Sequence, residues 1–371
     1  MIWLTTMWPL ACVKNEPPRE IVALPPVVED VKPPPVVRPD PLPSWRSGFT
    51  SAPALGQRVA ETWGFTLGGP ITEPIAGDAS QAFAVADGRL VAFSADGKRG
   101  WDARIDARGG PYLLDSSVIV GGGDGRVHWV DRATGKDGTV TEPGGAVVGR
   151  VVPVDGGFAW VTATGQVSST AGWNVAAGVV PSARPAADGS TVYFASTDAK
   201  LHAVGPKGVA WSCPLPAPPV DGPALDAERA YVSYGAQGGE PGGVVAVWRV
   251  GADAGKEAWR FQTGFAPEAA PAVHEAVYVP DKDGTVYALD PVSGSKLWGA
   301  EGYGEFLTQP VIAGKTLYVG NGDGALYAID SFDGGIDWKL QLGAPVTAEP
   351  ALLGTGMVVG LANGRVVGLR P

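Results

Sequence analysis

The feature that most constrains this chain is a repeat. Residues 282–298 read KDGTVYALDPVSGSKLW and residues 322–338 read GDGALYAIDSFDGGIDW, one pattern written twice, 40 residues apart. Relatives of the octapeptide DGTVYALD (283–290) recur along the chain as DGRLVAFS (87–94), DGRVHWVD (124–131), TGQVSSTA (164–171), DAKLHAVG (198–205), GGVVAVWR (242–249), DGALYAID (323–330) and NGRVVGLR (363–370). That makes eight copies, seven of them with Gly at the second position. Asp-Gly or Asn-Gly ahead of alternating apolar residues is a hairpin turn feeding a strand. A period of this size marks an array in which each unit buries its apolar faces only against its neighbours.

Upstream of each octapeptide stand a proline and a second apolar run; the prolines are Pro74, Pro111, Pro153, Pro185, Pro223, Pro271, Pro310 and Pro350. Downstream come a turn and a tryptophan, at Trp101, Trp173, Trp211, Trp259, Trp298 and Trp338. In the clearest copies that turn runs from Asp290 to Gly294 and from Asp330 to Gly334. Asp accepts a backbone hydrogen bond there and Gly supplies the positive φ. Each unit thus reads as four short antiparallel strands, and the fold class as all-β.

The last unit ends at Pro371 before it reaches a Trp strand, whereas an unassigned Trp strand, TWGFTLG with Trp63, opens the body at 62–68. If that N-terminal strand completes the last unit, the array closes into a ring without a long open edge. Trp63 to Pro371 is 309 residues, or about 39 per unit over eight units, near the length of a four-stranded propeller blade. The expectation is an eight-bladed β-propeller over 56–371, with seven blades as the alternative. The second unit carries GKDGTVTEPG (135–144) in place of its Trp strand, and the third has only 20 residues from Pro153 to Trp173.

The front end has a different composition. Residues 1–12, MIWLTTMWPLAC, are apolar and end in Leu-Ala-Cys, the pattern of a lipoprotein signal in which Cys12 becomes the lipidated residue. Ten prolines follow within 13–44. Proline fixes φ and lacks an N–H, so 13–55 reads as an extended spacer reaching on the order of 100 Å at about 3.1 Å per residue. The net charge of −10 argues against nucleic acid as a partner.

Two repeats spell A-x-D-x-x-x-G-x-x-x-W, as Ala288, Asp290, Gly294 and Trp298 and again as Ala328, Asp330, Gly334 and Trp338. This resembles the tryptophan-docking repeat of the quinoprotein-like (PQQ-like repeat) propellers, loosely over 62–371. The resemblance implies that Trp63, Trp101, Trp173, Trp211, Trp259, Trp298 and Trp338 hold the structural repeat position, where indoles pack between neighbouring blades. That family contains pyrroloquinoline quinone dehydrogenases that hold the cofactor with calcium, and non-enzymatic lipid-anchored scaffolds of the outer-membrane assembly (BamB) type. This chain is similar to the second group. It is short, its front end is lipoprotein-like, and Cys213 is the only cysteine in the body, which excludes a Cys-Cys pair.

No chemistry-bearing constellation competes with that reading. His128 and His202 occupy the octapeptide slot held elsewhere by Tyr287 and Tyr327, and the sequence around His274 does not complete a zinc or triad pattern. PDKDG (280–284) and GNGDG (320–324) lack the full calcium loop, and GGGDG (121–125) joins two strands rather than cradling a phosphate at a helix start. The expectations are no catalytic, cofactor or metal site, and a monomer that binds protein through its loops in the cell envelope. The partner implied by the resemblance is an outer-membrane barrel-assembly component. A quinone-dependent oxidoreductase and a surface module for carbohydrate or peptide are the alternatives. The insertion GAQGGEPGG (235–243) is a candidate binding loop.

Overall fold

In the sixth repeat the chain reverses at Gly284, whose φ of 87° lets the amide of Asp281 bond the carbonyl of Thr285 at 2.9 Å. It reverses again at Gly294 (φ 73°), where Asp290 Oδ1 accepts the Ser293 amide at 2.7 Å. The product is an antiparallel sheet of Ala272–Val273, Val277–Pro280, Thr285–Leu289 and Lys296–Glu301, in that spatial order. The other repeats fold alike, so eight such sheets form the eight blades of a propeller. The structure is a computed structural model that describes residues 48–56, 58–138, 144–235 and 241–371. Among them there is no helix long and apolar enough to cross a membrane. Cys12, most of the Pro-rich spacer and part of the 235–243 insertion lie outside the described residues.

Two cores per blade explain the unbroken apolar runs of the middle strands. Val277, Val279 and Leu289 pack toward the fifth blade with Tyr231, Val244 and Ala246. Tyr278, Val286 and Ala288 pack toward the seventh with Ile312, Leu317 and Val319. A strand sandwiched between two neighbours needs apolar side chains at odd and even positions alike.

The ring closes as the ends of the sequence imply. Ala60–Thr66 pairs antiparallel with Arg365–Arg370, Thr66 opposite Arg365 and Ala60 opposite Arg370, and supplies the outer strand of the eighth blade. Two blades depart from the plan. Among the described residues the second has three strands, Ala107–Leu113, Ser117–Gly122 and Val127–Asp131, with only the bridge from Val130 to Asp137 where an outer strand would run. The seventh has a fifth strand. Phe49–Thr50 lies parallel to the innermost strand, opposite Ile312 and Ala313, and Gly48 O accepts the Ile312 amide at 2.7 Å. Residues 48–55, assigned from sequence to the spacer, therefore already belong to the propeller. Buried Leu55 donates its amide to Tyr318 Oη at 2.7 Å.

Candidate functional site: the charged centre of the ring

Six of the seven repeat tryptophans stand on the outermost strands: Trp63, Trp101, Trp211, Trp259, Trp298 and Trp338; Trp173 immediately precedes Asn174–Ala176. Their geometry repeats. Trp101, Trp211, Trp259, Trp298 and Trp338 each lie 5.7–5.8 Å, centroid to centroid, from an aromatic ring of their own blade, namely Phe83, Tyr193, Tyr231, Tyr278 and Tyr318. The indole N–H then reaches into the next blade's outer turn. Trp63 Nε1 donates to Ala95 O at 3.1 Å, Trp101 Nε1 to Arg132 O at 2.9 Å and Trp259 Nε1 to Pro291 O at 2.9 Å. The same turns present a glycine to the indole face. A Cβ at Gly97, Gly135, Gly255, Gly294 or Gly334 would fall 2.4–2.9 Å from Trp63, Trp101, Trp211, Trp259 or Trp298. These contacts bind blade to blade. They leave the functional surface to the loops and the centre.

The centre is set by one slot of the repeat, the residue just before the upstream proline. In blades one, four, seven and eight that residue is Glu73, Arg184, Gln309 and Glu349. In the third blade the slot is Arg150, followed by Val151. Pro153, taken from sequence as the upstream proline of this repeat, instead lies inside the strand Val152–Val154 and pairs with Phe158. Innermost strands run along the propeller axis, so side chains in this slot meet at the middle.

There they form an ion-pair network. Arg184 Nε donates to Asp221 Oδ1 at 2.9 Å and its Nη2 bonds Oδ2, a bidentate pair. Asp221 also accepts the amides of Gly222 (2.6 Å) and Ala270 (3.4 Å). Arg184 Nη1 and Arg150 Nη2 lie 3.5 and 3.6 Å from Glu349 Oε2, so fourth and third blades reach the eighth across the axis. Glu349 and Arg150 are both buried, and Glu349 Oε2 makes no hydrogen bond. Burial opposes the charge on Asp221, but Arg184 outweighs it and holds the carboxyl below its ordinary value. Arg184 is correspondingly held above its own. Burial, reinforced by Arg184, pushes Arg150 down. Glu73 is pushed up by burial against the pull of both arginines. Two cavities of about 360 and 350 Å³ flank the network, and Glu349 lines both.

This network braces the ring across its axis: Arg150 and Arg184 face the carboxylates of Glu73, Asp221 and Glu349. Among the described residues no group of three or more His, Cys, Asp or Glu could hold a metal ion. Pyrroloquinoline quinone, a planar tricarboxylate, does not fit these residues. Arg150 and Arg184 already face Glu73, Asp221 and Glu349, so a further polyanion would have to compete with these carboxylates for the two arginines.

The histidines are explained by the repeat. His128 Nδ1 lies 2.8 Å from Asp137 Oδ2 and its Nε2 3.3 Å from Asp124 Oδ1, the turn residue four before it. Tyr287 and Tyr327 bond the equivalent turn carboxylates of Asp283 and Asp323 at 3.2 and 3.4 Å. His202 sits between Ser196 Oγ (2.7 Å) and Ser212 Oγ (2.8 Å), and burial lowers its pKa. In these four copies the position holds a ring whose polar tip bonds a neighbouring side chain. Sequence reasoning missed the central charges, although their signal, a charged or amide residue before the strand-opening proline, is visible in Glu73, Arg184, Gln309 and Glu349.

A family model described as "Outer membrane protein assembly factor BamB" matches residues 148–301 and 242–371. Among solved structures, BamB from Moraxella catarrhalis is 19% identical with a TM-score of 0.64, covering 85% of this chain and 98% of its own. The computationally designed Ika8 protein is 14% identical with a TM-score of 0.67, covering 88% and 100%. The WD40 propeller domain of Doa1 is 12% identical with a TM-score of 0.57, covering 85% and 97%. No curated protein matches the chain by sequence. The designed and WD40 rings share the architecture alone, whereas the family model spans more than half of the sequence, and the chain therefore belongs to the PQQ-like repeat propeller family of the outer membrane protein assembly factor BamB.

Proposed function

We propose that this protein is a non-enzymatic, lipid-anchored scaffold of the cell envelope that binds a component of the machinery assembling outer-membrane β-barrel proteins. The observation that carries the reading is the family match over 148–371, on a ring whose centre is braced rather than open. In this reading Cys12 is the lipid site, the Pro-rich stretch sets the reach of a monomeric propeller from the membrane, and the loops make the contact. Exposed apolar side chains support the last point. Phe265 (44% exposed) and Tyr303 (77%) stand in successive connections between blades, where a partner would bury them.

The test is genetic. Deleting the gene from its host lowers the steady-state level of outer-membrane β-barrel proteins, and the wild-type gene restores it. The Cys12→Ser form restores it less well. Unchanged barrel-protein levels in the deletion strain would contradict the proposal.

A further inference from the structure

The connection between the fifth and sixth blades is held by a carboxylate where its counterpart one blade later is held by an amide. In the seventh blade Asn321 opens the turn after the second strand. Its Nδ2 donates to Gly304 O at 3.0 Å and its Oδ1 accepts the Asp323 amide at 2.8 Å, which pins the preceding connection. The equivalent residue in the sixth blade is Asp281, fully buried. Its backbone bridges Pro267 as that of Asn321 bridges Phe306. Its carboxylate has long contacts to the main-chain donors Phe265 N at 3.5 Å and Asp283 N at 3.4 Å, with the Lys282 amide also in reach. Thr263 Oγ1, also within reach of the carboxyl, donates its single proton to Phe265 O.

We infer that Asp281 is a proton-operated latch on the connection 263–270, which presents Phe265 at the surface. With a proton on Asp281, the carboxylic acid donates to Thr263 Oγ1 while Thr263 donates to Phe265 O, and the connection is tied down as Asn321 ties its counterpart. When Asp281 ionises, the same hydroxyl turns to the carboxylate, Phe265 O loses its donor, and the connection loosens. The surrounding charges favour the protonated form. Burial first, and then Asp283 in the same turn, raise the carboxyl to about 6 against the opposing hydrogen bonds of Thr263 and of the Asp283 and Lys282 amides. Tyr287 on the following strand bonds Asp283. Lys282 is turned away from Asp281 to Glu268 of the connection (2.6 Å) and Glu305 of the next (3.7 Å). A folded-state value raised above the unfolded one means that the tied state is fully favoured below about pH 4 and lost as pH rises through about 6.

Hydrogen exchange of the full-length protein at pH 5 and pH 8, corrected for intrinsic rates, tests the latch. Protection of amides in 263–268 falls about 10-fold or more between the two, while that in 302–306 does not change. Asp281→Asn abolishes the difference. Asn321→Asp, which needs no change at the latch itself, confers a new pH dependence on 302–306. Equal protection of 263–268 at both pH values, a difference that survives in Asp281→Asn, or an unresponsive Asn321→Asp would overturn the inference.

Discussion

Trp298 of the sixth blade packs on Gly334 of the seventh so closely that a Cβ added to the glycine would fall 2.6 Å from the indole. Gly334 also holds a φ of 80°, which an L side chain resists. The repeat spells this contact with one Trp and one Gly, and the propeller uses it to join blades.

Gly334→Ala therefore meets both a clash and a backbone penalty, and is expected to destabilise the fold by about 2–4 kcal/mol. Gly172 has a similar φ of 88° with open space around it, so Gly172→Ala should cost only about 1 kcal/mol. Urea unfolding followed by tryptophan fluorescence separates the two. Equal losses would show that the indole contact does not constrain the glycine.

Removing Arg184 leaves the buried carboxylate of Asp221 without its bidentate partner. Arg184→Met is expected to cost about 3–5 kcal/mol, with part of the loss recovered by adding Asp221→Asn. The pH dependence follows from sign. A carboxyl held below its ordinary value stabilises the fold above its unfolded pKa, near 3.9, and that stability is lost as pH falls through the folded value. Arg184→Met lacks that contribution, so its stability deficit relative to the wild type should be full near neutral pH and shrink as pH falls below about 4. A deficit that does not change with pH would contradict the assignment.

Ring closure depends on Ala60–Thr66 covering the edge of Arg365–Arg370. A protein starting at Gly48 should keep a single cooperative thermal transition. One starting after Thr66 should lose it and self-associate through the exposed edge. Calorimetry and light scattering read both outcomes.

The quinone rival makes a spectroscopic claim. Adding pyrroloquinoline quinone with calcium to the purified protein is expected to give neither a shifted absorbance band nor dye reduction with alcohols or sugars, because the central cations are already matched by carboxylates. Turnover would overturn the scaffold reading.

Much of the fold was legible because a repeat writes its geometry eight times. The turn glycines, the Trp slot and the displaced N-terminal strand each follow from comparing copies. The second blade was only partly legible, since Gly135 still meets Trp101 although no Trp follows it. The centre was obscure for a different reason. Residues facing the axis meet partners from distant repeats, and no local period links Arg184 to Glu349, 165 positions later. Pro153 shows the hazard of matching by residue type, because the third blade fills the proline slot with Val151. Residues 48–55 followed a proline-rich stretch and carried no repeat signal, yet 48–50 pair with the seventh blade through backbone bonds that composition does not encode.

In-cell photocrosslinking tests the scaffold reading most directly. A photoreactive residue is placed in the full-length protein at Tyr303, in a connection between blades, and in a second protein at Phe332, in an outer turn at the opposite end of its blade; both are exposed. The account predicts that a barrel-assembly component is the dominant adduct from Tyr303, identified by mass spectrometry, and is weak or absent from Phe332. A folded, membrane-associated protein that yields no barrel-assembly component from either position would contradict it.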